Sequence, residues 1–269
     1  MCFEQFDTPA MYIAPNAVCS GLSMAKPTSL VVDIGASGTS VTPIVDGFAL
    51  YKSVRKCPIG GSLFNKEVRD YLTTVCHQGT DNGTGTGSGG GIELRPWFDI
   101  PNTITPKRIK PNTVTHSFRE YHINNLTQDI KHWMSVVPYT QLPNSATVLD
   151  INGQSVIKTK EELYSDSLRL PPYELPNGSV LTQSYPLCTP RPNRPTLPEL
   201  IKDSLLSCET DIRKDLMNNI IVTGGGALMD GMSNRLMYEL NGLFSSGHKV
   251  KGQVVYKVRR RYREVFVVD

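Results

Sequence analysis

Two glycine-containing turns carry the residues with the clearest chemistry. Asp33-Ile34-Gly35-Ala36-Ser37-Gly38-Thr39 sets a carboxylate beside small residues in a tight turn. Glycines let backbone amides approach an anion closely, and consecutive amides form an anion-binding concavity. A carboxylate cannot touch phosphate oxygens, because like charges repel. It can hold Mg2+ through water while phosphates take the other positions. The second turn follows an apolar run: Ile220-Ile221-Val222-Thr223 leads straight into Gly224-Gly225-Gly226. A glycine triplet at the carboxyl end of a strand admits a flat ligand or a phosphate at short range. Each motif also serves as an ordinary structural turn, so neither decides a function alone.

Other stretches are expected to do less. Asp81-Asn82-Gly83-Thr84-Gly85 has phosphate-loop composition, but no apolar strand feeds it, so it reads as linker. The basic run Lys257-Val258-Arg259-Arg260-Arg261-Tyr262-Arg263 reads as a solvated tail. Five histidines show no metal-ligand spacing, and six dispersed cysteines contain no Cys-x-x-Cys pair. The cysteines read as reduced thiols of a nucleocytosolic protein. Lys+Arg 28 against Asp+Glu 25 leaves a net charge of +3, too balanced for a nucleic-acid footprint, so direct nucleic-acid binding is not expected. There is no apolar run long enough for a transmembrane helix and no signal core, so no membrane association is expected.

These motifs need elements to hold them. Thr8-Pro9 has the chemistry of a helix start, predicting a helix over 10–19 that Pro15 kinks or ends. Leu30–Asp33 and Thr39–Val45, closed by Asp46-Gly47, predict a hairpin, with Phe48–Val54 as a third strand. Gly60-Gly61-Ser62 opens a helix with Ser62 as N-cap, and Leu63, Phe64, Val68, Tyr71, Leu72 and Val75 recur at helical period. Gly79–Gly91 holds seven glycines in thirteen residues and Pro96–Pro111 is proline-rich, which predicts a flexible surface insertion over 77–112. A helix is predicted from Thr115, with Phe118, Leu126, Ile130 and Trp133 on one face. Leu149–Gly153 and Pro171–Gly178 read as strand-and-turn segments. Thr196 with Glu199 predicts a capping box opening one helix through Leu216. A last helix over 231–243 would turn Leu236, Met237, Leu240 and Leu243 inward. Strands and helices alternate at both ends, which predicts an α/β class with an inserted, more helical subdomain.

Two separated blocks resemble the actin superfamily. The first is Phe3-Glu4-x-Phe6-x-Thr8-Pro9-Ala10-Met11-Tyr12-x-Ala14, followed by Val32-Asp33-x-Gly35, Pro43-Ile44-x-Asp46-Gly47 and Gly60-Gly61. The second is Asp211-Ile212-Arg213-Lys214-Asp215-Leu216 with Val222-Thr223-Gly224-Gly225. With shorter matches, the resemblance covers residues 1–76, 113–134 and 171–245. Val31–Gly35, Ser40–Gly47 and Val114-Thr115-x-Ser117-Phe118-x-x-Tyr121 look nearer to the nuclear actin-related proteins of the fourth class than to actin itself. The resemblance implies an actin-like fold of the ribonuclease H-like, Hsp70-type ATPase kind, mainly its second large half. The implied divisions are a helix of the first half over 1–26, a large subdomain over 27–60 and 196–250, an inserted smaller subdomain over 61–195, and a divergent basic tail over 251–269.

The resemblance also implies roles. Asp33 and Gly35 match the second phosphate hairpin, Asp33 being the carboxylate linked to Mg2+ through water. Gly61 matches a backbone position lining the purine pocket, and Lys131 a lysine near base and ribose. Gly224, Gly225, Gly226 and Leu228 match the loop under the adenine. The implied cofactor is ATP or ADP with Mg2+, weakly bound or absent, and no catalytic residue is assigned. Three departures bear on this. Ala36 stands where actin has a second hairpin aspartate, His132 replaces an acidic neighbour of the lysine, and Asn16 stands where actin uses a glutamine to position water. A first phosphate hairpin well upstream of Phe3 and the family's closing segment after about Ser246 are expected to be missing, which reads as a partial chain. The expected function is a non-catalytic subunit of chromatin-remodelling or histone-acetyltransferase complexes. It would pair with monomeric actin and a helical segment of a large subunit, in the nucleus with some in the cytoplasm. The alternatives are a filament-forming cytoskeletal actin homologue and an ATPase of the same superfold.

Overall fold

β-Branched runs become strands here, and the breaks between them fall at small residues and prolines. A computed structural model describes residues 2–75, 94–100, 114–139, 145–149, 155–159, 173–178, 180–181, 195–244 and 252–254. In chain order the elements are α1 (Cys2–Gln5), α2 (Asn16–Ser23), β1 (Ser29–Ile34), β2 (Thr39–Val45), β3 (Phe48–Ala49), β4 (Arg55–Cys57) and α3 (Gly61–Val75). Then follow α4 (His116–Met134), β5 (Ser145–Leu149), β6 (Ser155–Thr159), β7 (Tyr173–Glu174), β8 (Val180–Leu181), α5 (Leu197–Leu206), α6 (Thr210–Asn218), β9 (Ile220–Thr223), α7 (Met232–Leu243) and β10 (Gly252–Val254). The chain divides into two compact units, 1–58 with 191–228 and 236–269, and 59–190 with 229–235. Residues 1–26 thus belong to the same unit as the strands that follow them.

The first unit is built on a mixed sheet in the order β10-β9-β1-β2-β3, with β4 also paired to β2. β1 and β2 are antiparallel, while β1, β9 and β10 run parallel. Alternation along β1 sends Val31 to one face, where Ile44, Ile221 and the α2 residues Ala17 and Val18 pack against it. Leu30 and Val32, on the other face, are also buried, as a sheet covered on both sides requires. The hairpin turn Asp46-Gly47 has φ of 50° and 83°, the two positive values that suit the twist of a two-residue turn. The capping box at Thr196 and Glu199 forms as read.

Several expectations are corrected in this unit. Pro15 does not kink a helix. It is the N-cap of α2, and its carbonyl accepts the first helical bond from the Cys19 N–H at 3.2 Å. A ring without an N–H loses no helical hydrogen bond at a helix start, where it would cost one in the interior. Phe48–Val54 is not one strand. β3 stops at Ala49 and a 3-10 turn over Tyr51–Ser53 leads to β4. The single helix through Leu216 is two. It breaks at Ser207–Glu209, where Arg213 Nη2 donates to the Leu206 and Cys208 carbonyls at 2.9 and 2.7 Å. Leu243 is exposed, and Arg235 is buried on α7 in its place. Gly252–Val254, placed by sequence in a tail, joins the sheet beside β9.

The second unit packs α3 against α4. Val68, Leu72, Leu94, Ile123, Ile130, Leu175 and Leu181 form its core. The N-cap hydroxyl of Thr115 accepts from the Phe118 N–H at 3.4 Å. Ser62 lies inside α3 and is not its cap; the Gly60 carbonyl accepts from Leu63 and Phe64. The inward face of α4 runs through Ile123, Thr127 and Ile130 with Leu126 packed against the core as expected, whereas Phe118 and Trp133 are 41% and 42% exposed. Leu94–Ile100 is not a loose surface stretch. Leu94 belongs to the core, and buried Phe98 stacks against Phe118 and His122 at centroid distances of 5.5 and 5.3 Å. The rest of 77–112 lies outside the described residues. The strand-and-turn segment read at Pro171–Gly178 supplies β7, which pairs antiparallel with β8 beyond it, and β5 ends at Leu149.

Candidate functional site

The parallel register of β1 and β9 pairs Asp33 with Thr223. Both strands therefore end at the same level, and the two glycine-containing turns emerge side by side from their carboxyl ends. Ligand sites in α/β sheets form at such ends. The contact is close. A Cβ placed on Gly224 would lie 2.6 Å from Asp33 Oδ1 and 2.5 Å from the Ile34 carbonyl oxygen. Gly224 also has φ of 94°, so glycine is required there twice over. A Cβ on Gly226 would overlap the Ile34 side chain. Gly225 faces open space, and Leu228 closes the 3-10 turn of Gly225–Leu228 half-exposed at the surface. Asp33, Gly35, Gly224, Gly225, Gly226 and Leu228 thus form one cluster.

Within the hairpin the Gly35 N–H donates to the Gly38 carbonyl at 3.0 Å. It is committed to the turn, so an anion would meet the exposed tip at Ala36 and Ser37 rather than Gly35. Gly38 was not picked out from sequence as a site residue, yet it packs tightly: a Cβ there would lie 2.7 Å from the Cys57 carbonyl. Only the small size of Gly38 signalled this. Asn16 is the exposed first residue of α2.

The other two site residues meet in the second unit. Lys131, 7% exposed, donates from Nζ to the Gly61 carbonyl at 3.0 Å. Burial disfavours its ammonium form and lowers its pKa. His132, beside it on α4, is exposed. A lysine held this way in the interior is seldom there for packing alone.

Comparison with known proteins gives this arrangement a family. The family model for actin matches residues 1–186 and 183–267. The chain belongs to the actin family. Its mixed sheet and flanking helices are those of an actin-like α/β fold, and the match runs past Ser246, where the likeness was expected to stop. Within the actin family the chain is similar to actin-related protein 4. That protein from Yarrowia lipolytica is 28% identical over 265 residues, covering 93% of this chain and 56% of its own length. Actin-related protein 4 of Oryza sativa subsp. indica is 29% identical over 269 residues, covering 93% and 55%. The SWI/SNF and RSC complexes subunit arp42 of Schizosaccharomyces pombe is 27% identical over 272 residues, covering 90% and 58%. The chain spans about half the length of the curated relatives it matches. Among the described residues of this actin-family chain, no helix is long and apolar enough to cross a membrane, and no three metal-ligating side chains cluster.

Proposed function

We propose that this chain is a non-catalytic actin-related subunit of chromatin-remodelling or histone-acetyltransferase complexes. It would act in the nucleus in chromatin organisation and transcription regulation. The likeness to actin-related protein 4, and to a relative named as a subunit of the SWI/SNF and RSC complexes, supports the assembly role. Its partners in this reading are monomeric actin and a helical segment of a large complex subunit.

The observation that carries the non-catalytic part is the hairpin tip. At Ala36, beside Asp33, there is a methyl group where actin has a second aspartate, and Asn16 is one methylene shorter than the glutamine it replaces. Phosphoryl transfer depends on oriented water and metal, and an ångström of displacement can cost roughly a hundredfold. Asp33 stands at the end of β1, and among the described residues it joins no group of three metal-ligating side chains. It fits Mg2+ held through water with phosphates completing the shell, and it does not fit an ion caged by protein alone. When bound, that ion would neutralise phosphate charge. Gly224 keeps the space around Asp33 open, and in the same unit Gly225, Gly226 and Leu228 would meet the adenine. Nucleotide would then act structurally, and weakly.

The test combines reconstitution and calorimetry. The chain should form a stoichiometric complex with purified monomeric actin and a helical peptide from a remodeller's large subunit. Titration with Mg·ATP should show weak binding or none, and phosphate release should not exceed that of Asp33→Ala. Tight binding with turnover would overturn the non-catalytic reading. Pelleting with Mg·ATP in a sedimentation assay would favour the filament alternative.

A further inference from the structure

Gly47–Pro58 forms one rim of the first unit's sheet. β3 and β4 both pair with β2, and among the described residues neither has a second strand neighbour. Among the described residues no strand lies outside β3 or β4, so edge groups there can take a further strand, while between them the Ser53 carbonyl is held by Ser204 Oγ at 2.8 Å. The chemistry of the rim has one sign: Lys52, Arg55 and Lys56 are there, and no Asp or Glu. Among the described residues, none of the three cations pairs with a carboxylate. Arg55 Nη1 instead donates to the Lys52 and Val54 carbonyls at 3.3 and 3.2 Å. The neighbouring carboxylates are otherwise placed. Glu199 of α5 accepts from the Thr196 N–H at 2.8 Å, Asp203 stands exposed, and Asp46 lies by Thr28 Oγ1 at 3.5 Å. Two aromatic side chains on the rim, Phe48 and Tyr51, are 77% and 73% exposed.

We propose that this rim docks an extended acidic peptide segment of a partner protein, laid alongside β3 and β4. Three cations without carboxylate partners attract the acidic side chains and steer the encounter. The edge groups of β3 and β4 supply main-chain hydrogen bonds, as in strand addition. Phe48 and Tyr51 supply apolar contact. Duplex nucleic acid suits the rim less well, because it cannot use strand-edge amides and draws its affinity from many more phosphate contacts. Lysine on a short edge strand also hinders pairing between like copies. The same charges therefore repel a second copy of this rim and attract an acidic strand.

The experiment is fluorescence anisotropy at low salt with the full chain and a labelled peptide of about ten alternating Glu and Val residues. Reversal of all three cations, Lys52→Glu with Arg55→Glu and Lys56→Glu, should weaken binding at least about tenfold while circular dichroism stays unchanged. A single reversal outside the rim, Lys214→Glu on α6, should weaken binding far less than the triple reversal. A peptide N-methylated at alternate residues keeps every charge but loses amide donors, and it should also bind at least about tenfold more weakly. Equal binding by the reversed variant would overturn the proposal and leave the cations as edge guards. Equal binding by the methylated peptide would overturn strand addition. Tighter binding of a DNA duplex than of the peptide, lost in the reversed variant, would make the rim a nucleic-acid surface and overturn it too.

Discussion

Gly224 is the residue on which the cluster at the strand ends turns. Its φ of 94° and the closeness of Asp33 and Ile34 act together, so Gly224→Ala should lower stability by about 3 kcal/mol, read by urea unfolding. An unchanged midpoint would mean the two turns do not meet as described. Lys131 makes the opposite prediction. Its folded pKa is lowered by burial, so the charged form is disfavoured by folding at neutral pH. That penalty is relieved as pH rises through the lowered folded value toward the ordinary 10.5. Lys131→Met should therefore raise stability at neutral pH by on the order of 1 kcal/mol, and the gain should shrink with rising pH. The same variant should weaken any nucleotide binding. Loss of stability at neutral pH would show that the Gly61 hydrogen bond outweighs the burial of charge.

Among the elements, α3 and α4 are joined by a bidentate pair. Arg69 Nη1 and Nη2 donate to Glu120 Oε2 and Oε1 at 2.7 and 3.1 Å. The hydrogen bonds from Arg69 hold the Glu120 carboxyl below its ordinary pKa of 4.5. A lowered folded pKa means the contribution is complete above the unfolded value and fades as pH falls through the folded one. Both side chains are about one-third exposed, so solvent screening limits the pair. Glu120→Gln should cost about 0.5 kcal/mol at neutral pH and nothing in acid below the lowered pKa. Thermal melts of both proteins across that range would decide it; a gap persisting in acid would assign the effect to packing. The α5 cap is separable: Thr196→Ala should cost about 1 kcal/mol at every pH above the carboxylate range, since it removes the hydroxyl acceptor of the capping box.

For the whole molecule, the first unit carries an apolar segment that is exposed among the described residues. Phe6, Met11, Tyr12 and Ile13 are exposed, Tyr12 by 86%. Exposed apolar groups close together in sequence favour association. The chain alone should run as broad, concentration-dependent species in size-exclusion chromatography and sharpen when a partner is added. A sharp monomer peak without partner would count against this.

Local chemistry was legible in the residues. The positive-φ turn at Asp46-Gly47, the Thr196–Glu199 cap, the β1–β2 hairpin and the strand entering Gly224 each depend on neighbours a few positions apart, whose preferences the amino acids carry with them. Family membership was legible for the same reason, in short motifs. What chain order could not reveal was which distant groups would meet. Helix faces shifted on α4 because the core chose Ile123 and Thr127 over Phe118 and Trp133. Leu94 and Phe98 were drawn from a proline- and glycine-rich stretch into that core because apolar burial outweighs local composition. Asp33 reaches Gly224, and Lys131 reaches Gly61, only through strand register and helix packing, which are settled by contacts summed over the folded chain and not by any single segment.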